Sequence, residues 1–452
     1  MTPRSLMAFC REKGVKSVEV RYTALHGVRT YIHLPVERLN EQLFETGLPL
    51  RGVPYVPRRS RECVVVPLAD TAYLAPDRQI TTLVLLAELQ DSLTRREDEL
   101  DPRNILHRAQ EAWRHTGIGD TVLVAQSCDF FLTDSQTSRE RDPAEPLRRL
   151  ADGGGAAIDS LADHEPAGYP QPMLLRGGPL SHRVAAACGE AVRLLTEMSI
   201  EVEQVTYADQ DGGLCRFHLM GVEAVKAADQ FLMLREAIAM AAARSGLAFH
   251  FSPRVGPDVP RLRWQQRLSV WKDGEPQLVG DKLHGLSAGA LAIAGGILRH
   301  LPAVMALTNP SAESLETLLE PRRPLRRAAI QASPSVDGAI SLLYVPISGG
   351  RPEGKCIEAD FADQTANPYL AIAALIMAGV AGVEENLSLD ASGRAAGAEQ
   401  SNSPGRKLPT SPRRAAAALR NDHAFLRMHE VFSAAALRGW LHLHRPAEAD
   451  DR

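Results

Sequence analysis

"VLVAQSCDFFLTD", residues 122–134, is the stretch on which the reading of this chain turns. The apolar run Val122-Leu123-Val124 leads into Phe130-Phe131-Leu132, a pattern that predicts a strand. Side chains two apart on a strand point to the same face, so Ser127 and Asp129 share a face near its middle. A hydroxyl and a carboxylate placed this way are either half of a metal site or what remains of one.

Upstream, "KSVEVRYTALHGVRTYIHLP" reads as a hairpin: Val18, Val20 and Tyr22 alternate, His26-Gly27 makes the turn, and Tyr31 to Leu34 return. A short helix over 4–12 precedes it, and "ECVVVPLADTAYLAPD" and "TTLVLLAEL" supply further strands. Residues 1–97 therefore read as a small mixed domain, bounded by the polar "QDSLTRREDELDPRN". Downstream, residues 101–452 read as a larger α+β domain. Asp101-Pro102 caps a helix over 102–116. Val184, Cys188, Val192, Leu195 and Met198 fall at helical spacing. "EAVKAADQFLMLREAIAMAAARSGL" is a long helix stopping at Gly246, and "NPYLAIAALIMAGVAGV" (367–383) is a buried helix, too short and too rich in Ala and Gly to span a bilayer. Residues 385–415, with "SNSPGRKLPTSPRR", read as a mobile loop.

Composition narrows the function classes. The 452 residues are 44% hydrophobic and 23% charged, with a formal net charge of -4, so neither nucleic acid nor a membrane is an expected partner. Six scattered cysteines without a C-x-x-C predict neither a disulfide framework nor a thiolate zinc site, and fit a reducing cytoplasm. No apolar leader is expected from "MTPRSLMAFCREKGVKS".

In order and spacing, "DPRNILHRAQE", "FFLTD", "SVW", "GDKLHGLSAGALAIAGGILRH", "ALTNP" and "ADQTANPYLAIAALIMAG" resemble the glutamine synthetase family. The branch most similar holds type III-like synthetases and γ-glutamylmethylamide synthetases. The resemblance implies an α+β fold: an N-terminal β-grasp domain, then a catalytic α+β domain, with subunits in a hexameric or dodecameric ring. It also implies ATP-dependent phosphorylation of glutamate followed by attack of ammonia or an amine. That chemistry needs divalent cations on oxygen ligands and cationic groups on the phosphates.

Set against the family's motifs, the strand 122–134 carries Ser127-Cys128-Asp129 where active members carry two glutamates. In "VEQVTYADQDGGLCRF" the next two ligand positions fall on Ala208 and Cys215 in the register anchored on the glycines. They fall on Gln204 and Gly212 in a second register, and on Glu203 and Asp211 in a third; the first is preferred. The histidines before "SVW" become Gln265 and Arg267, and the glycine turn before them becomes Arg261-Leu262-Arg263. Thr317, Ala339, Tyr344 and Asp360 stand where the resemblance implies arginines, and Arg51 where the flap is often acidic. Only Asp129 and Glu358 keep a carboxylate as remnant metal ligands, with Arg267 expected as their partner. No catalytic residue is assigned. The residues specify no cofactor of their own; Mg²⁺ and ATP follow only if the family activity is retained.

Three functions compete. The first is a pseudoenzyme acting as a structural or regulatory subunit, in a homo-oligomeric ring or with an active paralogue. The second is an ATP-dependent glutamate–ammonia or glutamate–amine ligase with a rebuilt site. The third is a binding module holding a small anion on Arg261, Arg263, Gln265 and Arg267.

Overall fold

The structure, a computed structural model, describes residues 1–51, 62–76, 78–134, 179–207, 213–253, 261–319, 326–332, 340–346, 354–389, 393 and 408–443. Helix α1 (Pro3–Glu12) is capped by Thr2 and leads into β1 (Ser17–Thr23). Strand β1 turns back into β2 (Arg29–Pro35), with Thr23 opposite Arg29 and Gly27 at φ 87°, a backbone that favours glycine. After α2 (Glu41–Thr46) come β3 (Leu48–Arg51), β4 (Glu62–Pro67), β5 (Tyr73–Leu74) and β6 (Thr82–Asp91). They form a six-stranded sheet ordered β2-β1-β6-β4-β3, with β5 also on β6. Its core holds Leu6, Val18, Val20, Val65, Leu83 and Leu85.

Asp101 caps α3 (Pro102–Arg114), its carboxylate accepting from the Arg103 and Leu89 amides at 2.9 and 2.7 Å. The second sheet follows: β7 (Thr121–Asp134), β8 (Val202–Tyr207), β9 (Leu214–Glu223), β10 (Leu247–His250), β11 (Trp264–Lys272), β12 (Glu275–Pro276), β13 (Arg326–Ala332), β14 (Ile340–Val345) and β15 (Ile357–Ala362). Its main order is β13-β14-β15-β11-β7-β9-β8. Helices α4 (Pro179–Glu197), α5 (Ala224–Arg244), α6 (Ala288–Thr308), α7 (Ala312–Leu318) and α8 (Pro368–Glu384) belong to the same unit, with α9 (Pro412–Asn421), α10 (Ala424–Arg427) and α11 (Ala434–Leu443) closing the described chain.

Burial follows strand parity. Val122, Val124, Cys128, Phe130 and Leu132 of β7 pack into the core, as do Trp264, Leu268 and Val270 of β11. Their odd-numbered neighbours, Ser127, Asp129, Gln265 and Arg267, lie on the other face of the sheet. On β9 the core takes Cys215, Phe217 and Leu219, which leaves Arg216 and His218 on the open face.

Several motifs that carry the resemblance are packing devices. Gln364 donates to the Asp129 and Arg263 carbonyls and so ties β7 to the strand entering β11. The Asp363 amide reaches the Thr308 carbonyl at the end of α6. Asn367 caps α8 and donates to the Ala24 and Leu25 carbonyls, which pins the hairpin turn to the second unit. Helices α6 and α8 cross on glycines: a Cβ on Gly296 would sit 2.1 Å from the Ala378 carbonyl oxygen, and one on Gly382 would sit 2.1 Å from that of Ala292. Helix α6 is long and apolar enough to cross a membrane, and 89% of that stretch is buried inside the protein.

A charged seam joins the two sheets. Arg103 donates to Glu88 at 2.6 Å and to Asp229 at 3.1 Å, and the Tyr369 hydroxyl reaches Asp229 at 2.7 Å. Arg21 bridges Glu19, Tyr73 and Glu236. Most of the loop expected over 385–415 lies outside the described residues, but its end is helical, since α9 starts at Pro412 behind the Ser411 cap.

Candidate functional site

Four strands bring charged side chains onto the open face. Strand β7 lies between β9 and β11, and β11 between β7 and β15. Asp129 faces Arg216, Ser127 faces both His218 and Gln265, and Arg267 faces Glu358.

Asp129 is 4% exposed. Both of its oxygens accept from Arg216: Nε to Oδ1 at 2.5 Å and Nη2 to Oδ2 at 2.9 Å. The Arg263 amide adds a third bond at 3.2 Å. This forked pair is the strongest interaction type two such side chains make. The hydrogen bond to Asp129 holds the Arg216 guanidinium charged, with its pKa above the ordinary value against the opposing effect of burial.

The expected partnership of Arg267 with Asp129 is therefore corrected. Arg267 Nη2 donates to Glu203 Oε2 at 2.6 Å, and the guanidinium on Asp129 is that of Arg216. The preferred register is corrected as well. The glycine-anchored register makes Cys215 a ligand position, but its thiol points into the core, 3.6 Å from Cys188 Sγ. Alternation fixes this: with Phe217 and Leu219 inward, Arg216 and His218 must face outward. That polar–apolar alternation through "LCRFHL" was the missed signal for both residues. Ala208 and Asp211 lie outside the described residues, as does Ala339.

Glu358 accepts from Gln265 Nε2 at 2.9 Å. Burial, then the neighbouring Asp360, pushes its carboxyl above the usual glutamate range. Arg263 Nη1 lies 3.4 Å from Asp360 Oδ2. Arg261 does not line a pocket: it is 3% exposed and donates to the Ala362 carbonyl at 2.6 Å, so it braces the backbone. Ser127 Oγ and His218 Nδ1 are 2.7 Å apart, and burial together with Arg267 and Arg216 holds the imidazole neutral by lowering its pKa. At 2% exposure the Ser127 hydroxyl is shielded from any acyl substrate. Thr317 bonds back along its own helix to the Glu313 carbonyl, and the Tyr344 hydroxyl accepts from the Ser341 amide. The side chain of Arg51 is outside the described set. Among the described residues, no three His, Cys, Asp or Glu side chains gather where they could hold a metal ion.

A sheet with one helix-covered face and one face carrying the charged residues, beside a smaller N-terminal sheet, agrees with the comparisons. The profile described as "Glutamine synthetase, catalytic domain" matches residues 99–451, and the chain belongs to that family. It is 26% identical to the glutamine synthetase of Aquifex aeolicus (strain VF5), over 100% of this chain and 96% of that one. It is 27% identical to that of Escherichia coli (strain K12), over 100% and 97%. In fold it resembles a Plasmodium falciparum glutamine synthetase (TM-score 0.76, 18% identity, 98% and 95% covered). It also resembles an apo GmaS without ligand (TM-score 0.72, 21% identity, 97% and 94% covered).

Proposed function

We propose that this chain is a glutamine synthetase family member that no longer synthesises glutamine, and that it acts as a structural or regulatory subunit of a cytoplasmic ring, with itself or with an active paralogue. The observation that carries this reading is the Arg216–Asp129 fork. A divalent cation needs free carboxylate oxygens, several per ion. Asp129 spends both of its oxygens on a guanidinium, Glu203 is held by Arg267, and Glu358 is held by Gln265. This donor set does not fit two Mg²⁺ ions, and no step through metal-bound ATP is derived from it. Arg263 and Arg267 each reach a carboxylate through one Nη and keep a buried Nε without a hydrogen-bond partner, so an anion held on them, the third reading, competes with Asp360 and Glu203 for these guanidiniums.

The rival reading is the ligase with a rebuilt site. It is favoured by Glu203 and Glu358 lying on the same face, each held through a contact that a metal could displace. Calorimetric titration with ATP, with and without Mg²⁺ and glutamate, separates the two. No Mg²⁺-dependent heat and no ADP release are expected. Glutamate-stimulated ADP release would overturn the proposal and make Glu203 the first residue to replace.

A further inference from the structure

A cavity of about 660 Å³ lies at the junction of the two sheets, and none of the open-face residues assembled above lines it. One wall is the N-terminal sheet and the turn at 69–71; the other is α3, the first half of α5 and the loop at 198–200. Its size suits a small metabolite.

The walls differ in chemistry. Met198 and Met233 bring two unbranched thioether side chains to one side, with Leu86 from β6 also lining the cavity. Methionine adapts to apolar groups of varied shape. The charged groups are of both signs. Arg103 is saturated by Glu88 and Asp229, so it has no ionic valence left for a ligand. Lys226, in the first turn of α5, and Asp70 form no ion pair among the described residues, and Glu223 receives only a 3.3 Å bond from the Gln110 amide. One free ammonium and two carboxylates without cations, beside a thioether wall, complement a molecule that carries both charges and an apolar tail.

We infer that this cavity binds a zwitterionic α-amino acid with an aliphatic or thioether side chain. Its carboxylate pairs with Lys226, its ammonium with Glu223 and Asp70, and its side chain packs on Met198 and Met233. Since the lining comes from both sheets, occupancy holds the N-terminal sheet against α5. This requires no ligase chemistry, so it stands or falls separately from the function proposed above.

Calorimetry on the full chain tests it, with L-methionine and L-leucine as probes, and L-methioninol and N-acetyl-L-methionine as charge-blocked controls. Saturable one-site binding of at least one amino acid is expected, with a rise in melting temperature. Each control should bind at least about tenfold more weakly, the cost of one charge-assisted contact. Lys226→Met alters an exposed side chain and should melt like the wild type while weakening binding by a similar factor. Met233→Trp should abolish binding by filling the space. No saturable heat with either amino acid, equal binding by either control, or binding unaffected by Lys226→Met would each overturn the assignment; the last would move the ligand to another site.

Discussion

At the scale of single residues, the Arg216–Asp129 pair carries the sharpest consequence. Arg216→Ala leaves a buried carboxylate with one backbone donor, the Arg263 amide, and the Arg263 guanidinium at 4.0 Å. Breaking a fully buried pair typically costs about 3 to 5 kcal/mol. The Arg216 side chain is 29% exposed, so water repays part of this, and about 2 to 3 kcal/mol is expected in urea denaturation. Asp129→Asn in the same chain should recover part of the loss, because it removes the charge that arginine balances. Arg267→Ala should cost less than about 1 kcal/mol, since its partner Glu203 is 43% exposed. Asp101 gives a pH signature. Burial pushes its carboxyl up to about 7, well above the value near 3.9 of an unfolded aspartate. The folded state therefore holds the proton more tightly than the unfolded one. Its contribution is fully present below about pH 4 and declines as the pH rises toward 7. Asp101→Asn should flatten that slope when stability is compared across this window, and an unchanged slope would place the titration elsewhere.

At the scale of elements, parity and close approach decide what each strand and helix can do. Helices α6 and α8 meet where Gly296 and Gly382 leave no room for a methyl group. Gly296→Ala must push the helices apart, and overpacking of this kind costs about 1 to 3 kcal/mol. A lowered melting temperature with native secondary structure by circular dichroism is expected; a wild-type melt would mean the crossing relaxes. Parity also sets the open face. The strand at 122–134 was legible because apolar residues run through it, and so were the long helices with apolar spacing. Which cross-strand partner meets Asp129 was not legible. The choice between Cys215 and Arg216 is one residue, and a shift of one residue exchanges the two faces of a strand. The glycines anchor one register, whereas the alternation of burial along β9 settles it.

At the scale of the whole molecule, both sheets and the motifs that lock them together are present, and glutamine synthetase family members are typically oligomeric rings. Light scattering should find a hexamer or dodecamer, alone or mixed with an active paralogue. A clean monomer at micromolar concentration, with no partner in a pull-down, would remove the subunit reading. The sequence by itself determined the family, the strand at 122–134 and the long apolar helices, because periodicity, caps and motif order are local properties of the chain; it left α9 to α11 unread. The tertiary structure alone decided the pairings: Arg216 on Asp129, Arg267 on Glu203, and Arg261 turned inward to backbone carbonyls. Those depend on strand register and on which guanidinium reaches a carboxylate first across the sheet. Such distances are set between residues 64 to 101 positions apart in the chain, where no local pattern reports them.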